Sequence, residues 1–144
     1  METQGLSGPQ ILVADDDPLS RELVVESLGS QGCTVLVAAD GEQALAALER
    51  QHIDAVLLDL HMPVLDGYGV LDRLRDAPPQ RRPALIVLSA DPSREARERA
   101  IELGADGYLM KPLDLAELGV ALAKAIRAAA ARSAAEAPEI PDMN

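Results

Sequence analysis

The sequence predicts a doubly wound α/β fold, in which a five-stranded parallel sheet lies between two layers of helices. Five short apolar runs alternate with five segments of helical spacing along the 144 residues. The apolar runs are continuous, which is typical of strands buried on both faces of a parallel sheet. Right-handed crossovers between such strands place helices on both faces. The content of 48% hydrophobic and 26% charged residues is that of one globular domain with a real core.

The strands and helices alternate along the chain. The predicted strands are residues 11–14, 35–39, 55–58, 85–88 and 108–110, of which the second gives the weakest signal. The predicted helices are residues 18–31, 41–51, 68–76 and 92–103, the fourth following Asp91, and a last helix that opens near residue 115. This alternation is the pattern of repeated strand–helix–strand units.

Capping residues mark the ends of the first and last helices. The first helix follows Asp17 as a candidate N-cap, has Pro18 at its first position and ends at Gly32. Before the last helix, Asp114 and Glu117 have the spacing of a capping box, with Asp in place of the usual Ser or Thr.

The folded domain is predicted to cover residues 10–131. We expect a flexible N-terminus over residues 1–9. Residues 132–144 are predicted to be a frayed helix end and a flexible tail, because the sequence there turns to Ala, Glu and Pro and cannot build a core. The Pro-rich loop over residues 77–83 is predicted to be a rigid surface connection.

Composition excludes several classes of function. With 24 acidic and 13 basic side chains, the net charge is −11, so most of the surface would repel nucleic-acid phosphates and anionic membranes. Two aromatic residues, Tyr68 and Tyr108, are too few for a base-stacking platform. The single cysteine, Cys33, excludes an intramolecular disulfide and a Cys-based zinc cluster. We expect a cytoplasmic protein that contacts neither nucleic acid nor membrane directly.

Polar residues collect where the predicted strands end. Asp15 and Asp16 follow the first strand, Asp59 ends the third, Ser89 the fourth and Lys111 the fifth. Carboxyl ends of parallel strands lie at one edge of the sheet, where ligands bind beside the switch point in strand order. If the order is 2-1-3-4-5, the three carboxylates converge. Each residue taken alone could be structural, as a turn, a cap or a solvated charge.

Three carboxylates so close must be partly protonated or neutralised by a cation. Oxygen ligands with room for water suit Mg²⁺. Lys111 and Ser89 supply hydrogen-bond donors that suit the oxygens of a phosphoryl group. The combination indicates phosphoryl transfer onto Asp59.

Four ordered motifs resemble those of response-regulator receiver domains, the phosphoacceptors of two-component signalling. The motifs are residues 11–18 (ILVADDDP), 57–67 (LLDLHMPVLDG), 87–90 (VLSA) and 107–112 (GYLMKP). The match extends over about residues 10–130. The resemblance implies a (βα)5 flavodoxin-like sandwich with strand order 2-1-3-4-5.

The resemblance also implies a role for each site residue. Asp59 would become an acyl phosphate, and Asp15, Asp16, Asp59 and the backbone carbonyl of His61 would hold Mg²⁺ (or Mn²⁺). Ser89 would hydrogen-bond the phosphoryl group.

Lys111 would pair with the phosphoryl oxygens, and the bond before Pro112 would be cis. Tyr108 would be an aromatic switch that repacks as Ser89 moves, although a half-buried core tyrosine remains an alternative. The positions of His61 and Asp91 would tune how fast the acyl phosphate hydrolyses.

The implied partners are a histidine kinase or phosphotransfer protein as donor, and a downstream protein target or fused output domain. The chain would be a monomer or weak homodimer, and would catalyse only its own phosphorylation and dephosphorylation. Whether it is a single-domain regulator or part of a longer protein stays open.

Two rival functions remain. A Mg²⁺-dependent phosphatase of the haloacid-dehalogenase type would use Asp15 and Asp17 as its Asp-x-Asp motif. However, 144 residues leave no room for a cap domain, and the late acidic pair of that family is missing. A receiver-like adaptor that works without phosphorylation also stays open. A nucleotide-binding module is disfavoured, because aspartates rather than a glycine-rich loop follow the first strand.

Overall fold

The computed structural model describes residues 8–77 and 82–136. Its strands and helices alternate as predicted: β1 (Gln10–Ala14), α1 (Pro18–Ser30), β2 (Thr34–Ala38), α2 (Gly41–Arg50), β3 (Ala55–Asp59), α3 (Gly67–Arg75), β4 (Ala84–Ser89), α4 (Arg94–Glu102), β5 (Gly107–Met110) and α5 (Leu115–Glu136). Most of the predicted flexible N-terminus, most of the Pro-rich loop and most of the predicted tail lie outside the described residues.

The five strands form one parallel sheet in the order β2-β1-β3-β4-β5, which confirms the predicted fold. Ala14 at the end of β1 is opposite Leu58 in β3, so Asp15 and Asp59 follow at the same level of the sheet. Ser89 at the end of β4 is opposite Met110, which places Lys111 just beyond it. The register therefore brings these polar residues to one edge of the sheet.

Each face of the sheet has its own apolar core, because successive strand residues point to opposite sides. Helices α1 and α5 cover one face, and α2, α3 and α4 cover the other. Strand residues on the α1/α5 face include Ile11, Val13, Leu57 and Ile86, and those on the opposite face include Leu12, Val56, Leu58 and Val87. All are fully buried, and each contributes about 1.5–3 kcal/mol relative to an exposed side chain.

Local capping explains where most helices begin. Asp17 is the N-cap of α1, as predicted, and its side chain accepts a hydrogen bond from the Leu19 N–H at 3.3 Å. Before α5, the Asp114 carboxylate accepts from the N–H groups of Ala116 and Glu117 at 2.9 and 3.2 Å. Both aspartates satisfy donors that the first turn leaves without partners.

The predicted start of α4 was wrong. The helix begins at Arg94 with Ser93 as its N-cap, whose hydroxyl accepts from the Ala96 N–H at 3.1 Å. The Asp91 carboxylate instead accepts from the Ser93 N–H at 2.9 Å, which forms a turn before the helix. Asp91 therefore belongs to the loop that follows β4, beside the site.

Beyond residue 131, where the sequence predicts a frayed helix end, the chain is still helical as far as Glu136, the last residue described. Arg132 forms an ion pair with Asp106 at 2.7 Å, and Ala129 is buried against the core. Asp106 also accepts from the Leu85 N–H at 2.8 Å, so the last turns of α5 are attached to the start of β4. Within the described part of the chain, no helix is both long and apolar enough to cross a membrane.

Candidate functional site

Three carboxylates meet at the ends of β1 and β3. Oxygen atoms of Asp15, Asp16 and Asp59 lie within 4.8 Å of one another. Asp15 and Asp59 are buried, at 1% and 4% exposure, whereas Asp16 is exposed. The convergence predicted from the strand ends is therefore present, with one side open to solvent.

Asp15 is held through both its backbone and its side chain. Its N–H donates to the carbonyl of Ala38 at 3.1 Å, at the end of neighbouring β2. One carboxylate oxygen, Oδ1, accepts from the Asp17 N–H at 3.0 Å, and Oδ2 accepts from Lys111 Nζ at 3.2 Å. A carboxylate bonded in this way has a single orientation, facing Asp59.

Asp59 is bonded on both carboxylate oxygens. Oδ1 accepts from the backbone N–H of His61 at 3.0 Å, and Oδ2 accepts from Lys111 Nζ at 3.1 Å. Burial raises the pKa of this carboxyl, and the hydrogen bonds from His61 and Lys111, with the positive charge of Lys111, offset that effect only in part. The Asp59 charge is thus costly in the folded protein, which favours a cation beside it.

Lys111 bridges the two buried carboxylates, with ion pairs at 3.2 Å to Asp15 and 3.1 Å to Asp59. Burial by itself would lower the pKa of this ammonium, but the hydrogen bonds and charges of the two carboxylates outweigh it, so the pKa is raised. Lys111 is therefore fully protonated at neutral pH. The peptide bond between Lys111 and Pro112 is cis, as the resemblance implied.

Ser89 is fully buried at the end of β4. Its hydroxyl oxygen accepts from the Asp91 N–H at 3.0 Å, and its carbonyl accepts from the Lys111 N–H at 2.8 Å. Because the oxygen already accepts, the hydroxyl proton is available to donate to another group. Among the described residues, no hydrogen bond joins Ser89 to Asp59, so these two predicted site residues lie at the same edge without being bonded to each other.

The loop after β3 is shaped by two unusual backbone positions. A Cβ at Gly67 would lie 2.6 Å from the carbonyl oxygen of Asp59, so only glycine lets the start of α3 pack against the end of β3. Val64 has φ 70° and is 77% exposed, and the Leu65 N–H bonds to the Pro63 carbonyl at 2.7 Å. This is a γ-turn of the strained, positive-φ kind.

Two tyrosines near the site connect neighbouring elements, one at the loop after β4 and one at α4. The hydroxyl of buried Tyr108 donates to the carbonyl of Asp91 at 2.7 Å, which ties β5 to the loop after β4. The guanidinium of Arg99 lies 3.9 Å from the centre of the Tyr68 ring, a cation–π contact between α4 and α3. The loop after β4 is thus bonded to β5, and α4 is in contact with α3.

The arrangement of sheet and side chains defines a class of signalling domain. A parallel sheet of order 2-1-3-4-5 with carboxylates after its first and third strands, and a lysine after its fifth, is typical of receiver domains. The family model for the response regulator receiver domain matches residues 11–123. The chain belongs to this family, whose members are signalling domains of two-component systems, and the match favours a receiver over the haloacid-dehalogenase alternative.

Curated relatives support the same conclusion. The chain is 41% identical over 126 residues to the transcriptional regulatory protein PrrA of Mycobacterium bovis, covering 85% of this chain and 51% of that protein. It is 40% identical over 105 residues to the sensor histidine kinase RcsC of Escherichia coli, covering 73% of this chain and 11% of that protein. The chain thus spans about half the length of the regulator and a small part of the kinase.

Solved structures share the fold. The receiver domain of a Pseudomonas aeruginosa sensor histidine kinase, solved with a magnesium ion coordinated in its active-site cleft, is 37% identical with a TM-score of 0.76, covering 84% of this chain and 99% of that one. A CheY-like receiver domain protein from Methanospirillum hungatei is 25% identical with a TM-score of 0.79, covering 87% and 98%.

Sequence reasoning missed one residue that contacts the site, Arg21, and one contact of a residue that it had named, Asp91. The Arg21 guanidinium donates to the backbone carbonyl of Asp15 at 2.8 Å, and the Asp91 carbonyl is the partner of Tyr108. A local signal for Arg21 is its position near the start of the first helix, where a positive charge opposes the helix dipole and therefore suggests another role for the residue. No local signal indicates the partner of Tyr108.

Proposed function

We propose that this chain accepts a phosphoryl group on Asp59, with Mg²⁺ bound beside it, and that phosphorylation switches a surface that binds a partner. The observation that carries the proposal is the convergence of three carboxylates, within 4.8 Å, on a lysine that bridges two of them. Structural ion pairs give no reason for a third, exposed carboxylate beside them, whereas hard anionic oxygens grouped in this way are ligands that suit a divalent cation.

The donor set fits Mg²⁺. Asp15, Asp16 and Asp59 offer hard anionic oxygens, and the exposure of Asp16 leaves room for the waters that Mg²⁺ retains. The backbone carbonyl of His61 would complete the protein ligands. When bound, the ion would neutralise the carboxylates and the charge on the oxygens of the incoming phosphoryl group.

The residues of the chain account for the transfer itself. A carboxylate oxygen of Asp59 attacks the phosphorus of a phosphohistidine, the P–N bond breaks, and its electron pair leaves with the imidazole. The product is an acyl phosphate on Asp59. Lys111, 3.1 Å from Asp59, is within reach of the phosphoryl oxygens, and the free hydroxyl proton of Ser89 is a second donor.

Movement of Ser89 toward the phosphoryl group would carry the signal. Ser89 Oγ accepts a hydrogen bond from the Asp91 N–H, and the Asp91 carbonyl accepts one from the Tyr108 hydroxyl. A shift at Ser89 would therefore strain both bonds. We infer that α4 and Tyr108 respond together, and that the affected surface binds a downstream protein or an output domain. A histidine kinase or a phosphotransfer protein would be the donor.

Intact-mass spectrometry with acetyl phosphate and Mg²⁺ tests the proposal. The wild type should gain one phosphoryl group, and the gain should disappear when EDTA removes the metal. Asp59→Asn should gain none, whereas the matched control Asp72→Asn, an exposed carboxylate on α3, should gain as much as wild type.

Phosphorylation of Asp59→Asn at the wild-type rate would overturn the assignment of Asp59. A wild type that binds its partners but takes no phosphoryl group would instead support the phosphorylation-independent adaptor. Repeated turnover of an added phosphoester would indicate a phosphatase.

A further inference from the structure

Arg21 is a cation in the wrong place for helix stability. It lies near the start of α1, where a positive charge opposes the helix dipole, and the first turn carries no acidic residue. Its guanidinium turns back over the helix end, and Nη1 donates to the carbonyl oxygen of Asp15 at 2.8 Å. A residue that breaks a local preference in this way often serves a site.

The bond from Arg21 completes the fixation of Asp15. The N–H and both carboxylate oxygens of Asp15 already have partners, and Arg21 supplies the partner for its carbonyl. That carbonyl belongs to the peptide that leads into Asp16. The orientation of this peptide determines where the exposed carboxylate of Asp16 points.

Arg21 also fixes the far end of the acidic segment. Its own backbone N–H donates to the Asp17 carbonyl at 3.0 Å. One residue therefore holds the segment from Asp15 to Asp17 at both ends, through its side chain at one end and its backbone at the other. Asp16 lies between the two points of attachment.

We propose that Arg21 is a positioning residue for the divalent cation, holding the peptide between Asp15 and Asp16 so that the Asp16 carboxylate faces Asp59. The inference rests on the proposed Mg²⁺ site. Arg21 does not ligate the ion, because a guanidinium has no lone pair to offer. It acts through the backbone of Asp15.

The two roles that Arg21 could have, as a nearby positive charge or as a residue that positions Asp16, predict opposite changes in Mg²⁺ affinity when it is replaced. This difference makes the proposal testable. If Arg21 acted only as a nearby positive charge, its removal would strengthen Mg²⁺ binding. If it positions Asp16, its removal weakens binding. For the loss of one charge-assisted hydrogen bond, we expect about a tenfold rise in the Mg²⁺ Kd.

Calorimetric titration of MgCl₂ at constant ionic strength compares wild type with Arg21→Met, Arg21→Gln and Arg21→Lys. The Met and Gln variants should bind Mg²⁺ more weakly, and the Lys variant, which keeps a charge and a donor, should recover part of the affinity. Arg127→Met is the matched control, since it removes one positive charge from an exposed position on α5, about 18 Å along the helix from its start. Its Kd should be unchanged.

Amide hydrogen exchange without metal gives a second measurement. The Asp17 N–H, bonded to Asp15 Oδ1, should exchange several-fold faster in Arg21→Gln than in wild type, while core amides of β3 stay unchanged. A merely structural role would raise exchange throughout the domain and leave the Mg²⁺ Kd of the folded protein alone.

The outcomes separate the two proposals. Unchanged or tighter Mg²⁺ binding in both neutral variants overturns the role of Arg21. If the Met variant does not fold, the result for the Gln variant is used alone. Failure of the wild type to bind Mg²⁺ overturns the proposed function itself.

Discussion

Replacing Asp59 with asparagine should stabilise the metal-free protein and remove most of the stabilisation that Mg²⁺ gives to the wild type. Asparagine has nearly the shape of aspartate but no charge, and Asp59 is buried at 4% exposure. The variant therefore removes a charge that the folded protein holds at a cost, together with a candidate metal ligand. The sign of the stability change should reverse when Mg²⁺ is added.

The magnitude follows from three interactions. Carboxylate oxygens at most 4.8 Å apart repel by at least about 3.5 kcal/mol per pair at an effective dielectric near 20. Lys111 Nζ, 3.1 Å from Asp59, attracts it by about 5 kcal/mol on the same scale. Solvent weakens the repulsion from exposed Asp16, so attraction and repulsion roughly cancel and the hydration lost on burial decides the sign. We expect a gain of about 1 kcal/mol in the free energy of unfolding, or about 3–5 °C in Tm.

The pH dependence of this difference has a definite sign. Burial raises the pKa of Asp59 despite the opposing bonds from His61 and Lys111. The stability that protonated Asp59 contributes is therefore fully present below the unfolded pKa of about 4, and it is lost as pH rises through the higher folded pKa. The advantage of Asp59→Asn over wild type should grow from acidic to neutral pH.

Thermal unfolding followed by far-UV circular dichroism, in EDTA and then in increasing Mg²⁺, measures both effects. At about 100 times its Kd, Mg²⁺ should stabilise the wild type by about 2.7 kcal/mol and the variant by much less. Asp72→Asn is the control: its carboxylate is exposed, 3.5 Å from Arg75, and its loss should change stability by less than about 0.5 kcal/mol. A lower metal-free Tm for Asp59→Asn, or equal gains from Mg²⁺ in both proteins, would refute the reasoning.

Two further predictions concern the output surface and the loop after β3. Beryllofluoride with Mg²⁺, standing in for the phosphoryl group, should shift amide NMR resonances most between Ser89 and Leu118, beyond the site itself; the largest shifts in α1 or α2 would contradict this. Val64→Gly should raise the free energy of unfolding by about 1 kcal/mol, because it relieves a β-branched residue at φ 70° whose exposed side chain packs little. Val64→Ala keeps a Cβ and should gain less, and urea unfolding that shows Val64→Gly to be less stable than wild type would refute the strain.

Most of the fold could be predicted because its signals are local. Continuous apolar runs indicate buried parallel strands, and Asp17 with Pro18 marks the start of α1 within a few residues of sequence. The start of α4 was misplaced because Asp91 and Ser93 are both good capping residues. The choice between them depends on the turn that Asp91 makes with the Ser93 N–H.

The convergence of polar residues at one edge of the sheet could also be predicted, but the bonds between them could not. Asp15, Asp59 and Lys111 follow recognisable strands, and the topology brings strand ends together. That Lys111 bridges both carboxylates depends on distances across the sheet edge, between residues 96 and 52 positions apart. The position of Arg21 near the start of α1 is visible in the sequence, but its partner is not, because a bond from a side chain to the Asp15 carbonyl leaves no pattern in composition or spacing.

The sequence by itself determined the order of elements, the parallel sheet and the set of polar residues at its carboxyl edge, because hydrophobic periodicity, capping and strand-end position are properties of short segments. Only the tertiary structure showed that α5 continues past residue 131, where Arg132 pairs with Asp106, a residue far away in the chain. It likewise decided the positive φ of Val64 and the partner of Tyr108. Such features depend on which groups come into contact after the sheet has formed. The partner of a group across the fold cannot be inferred from the residues next to it in the chain.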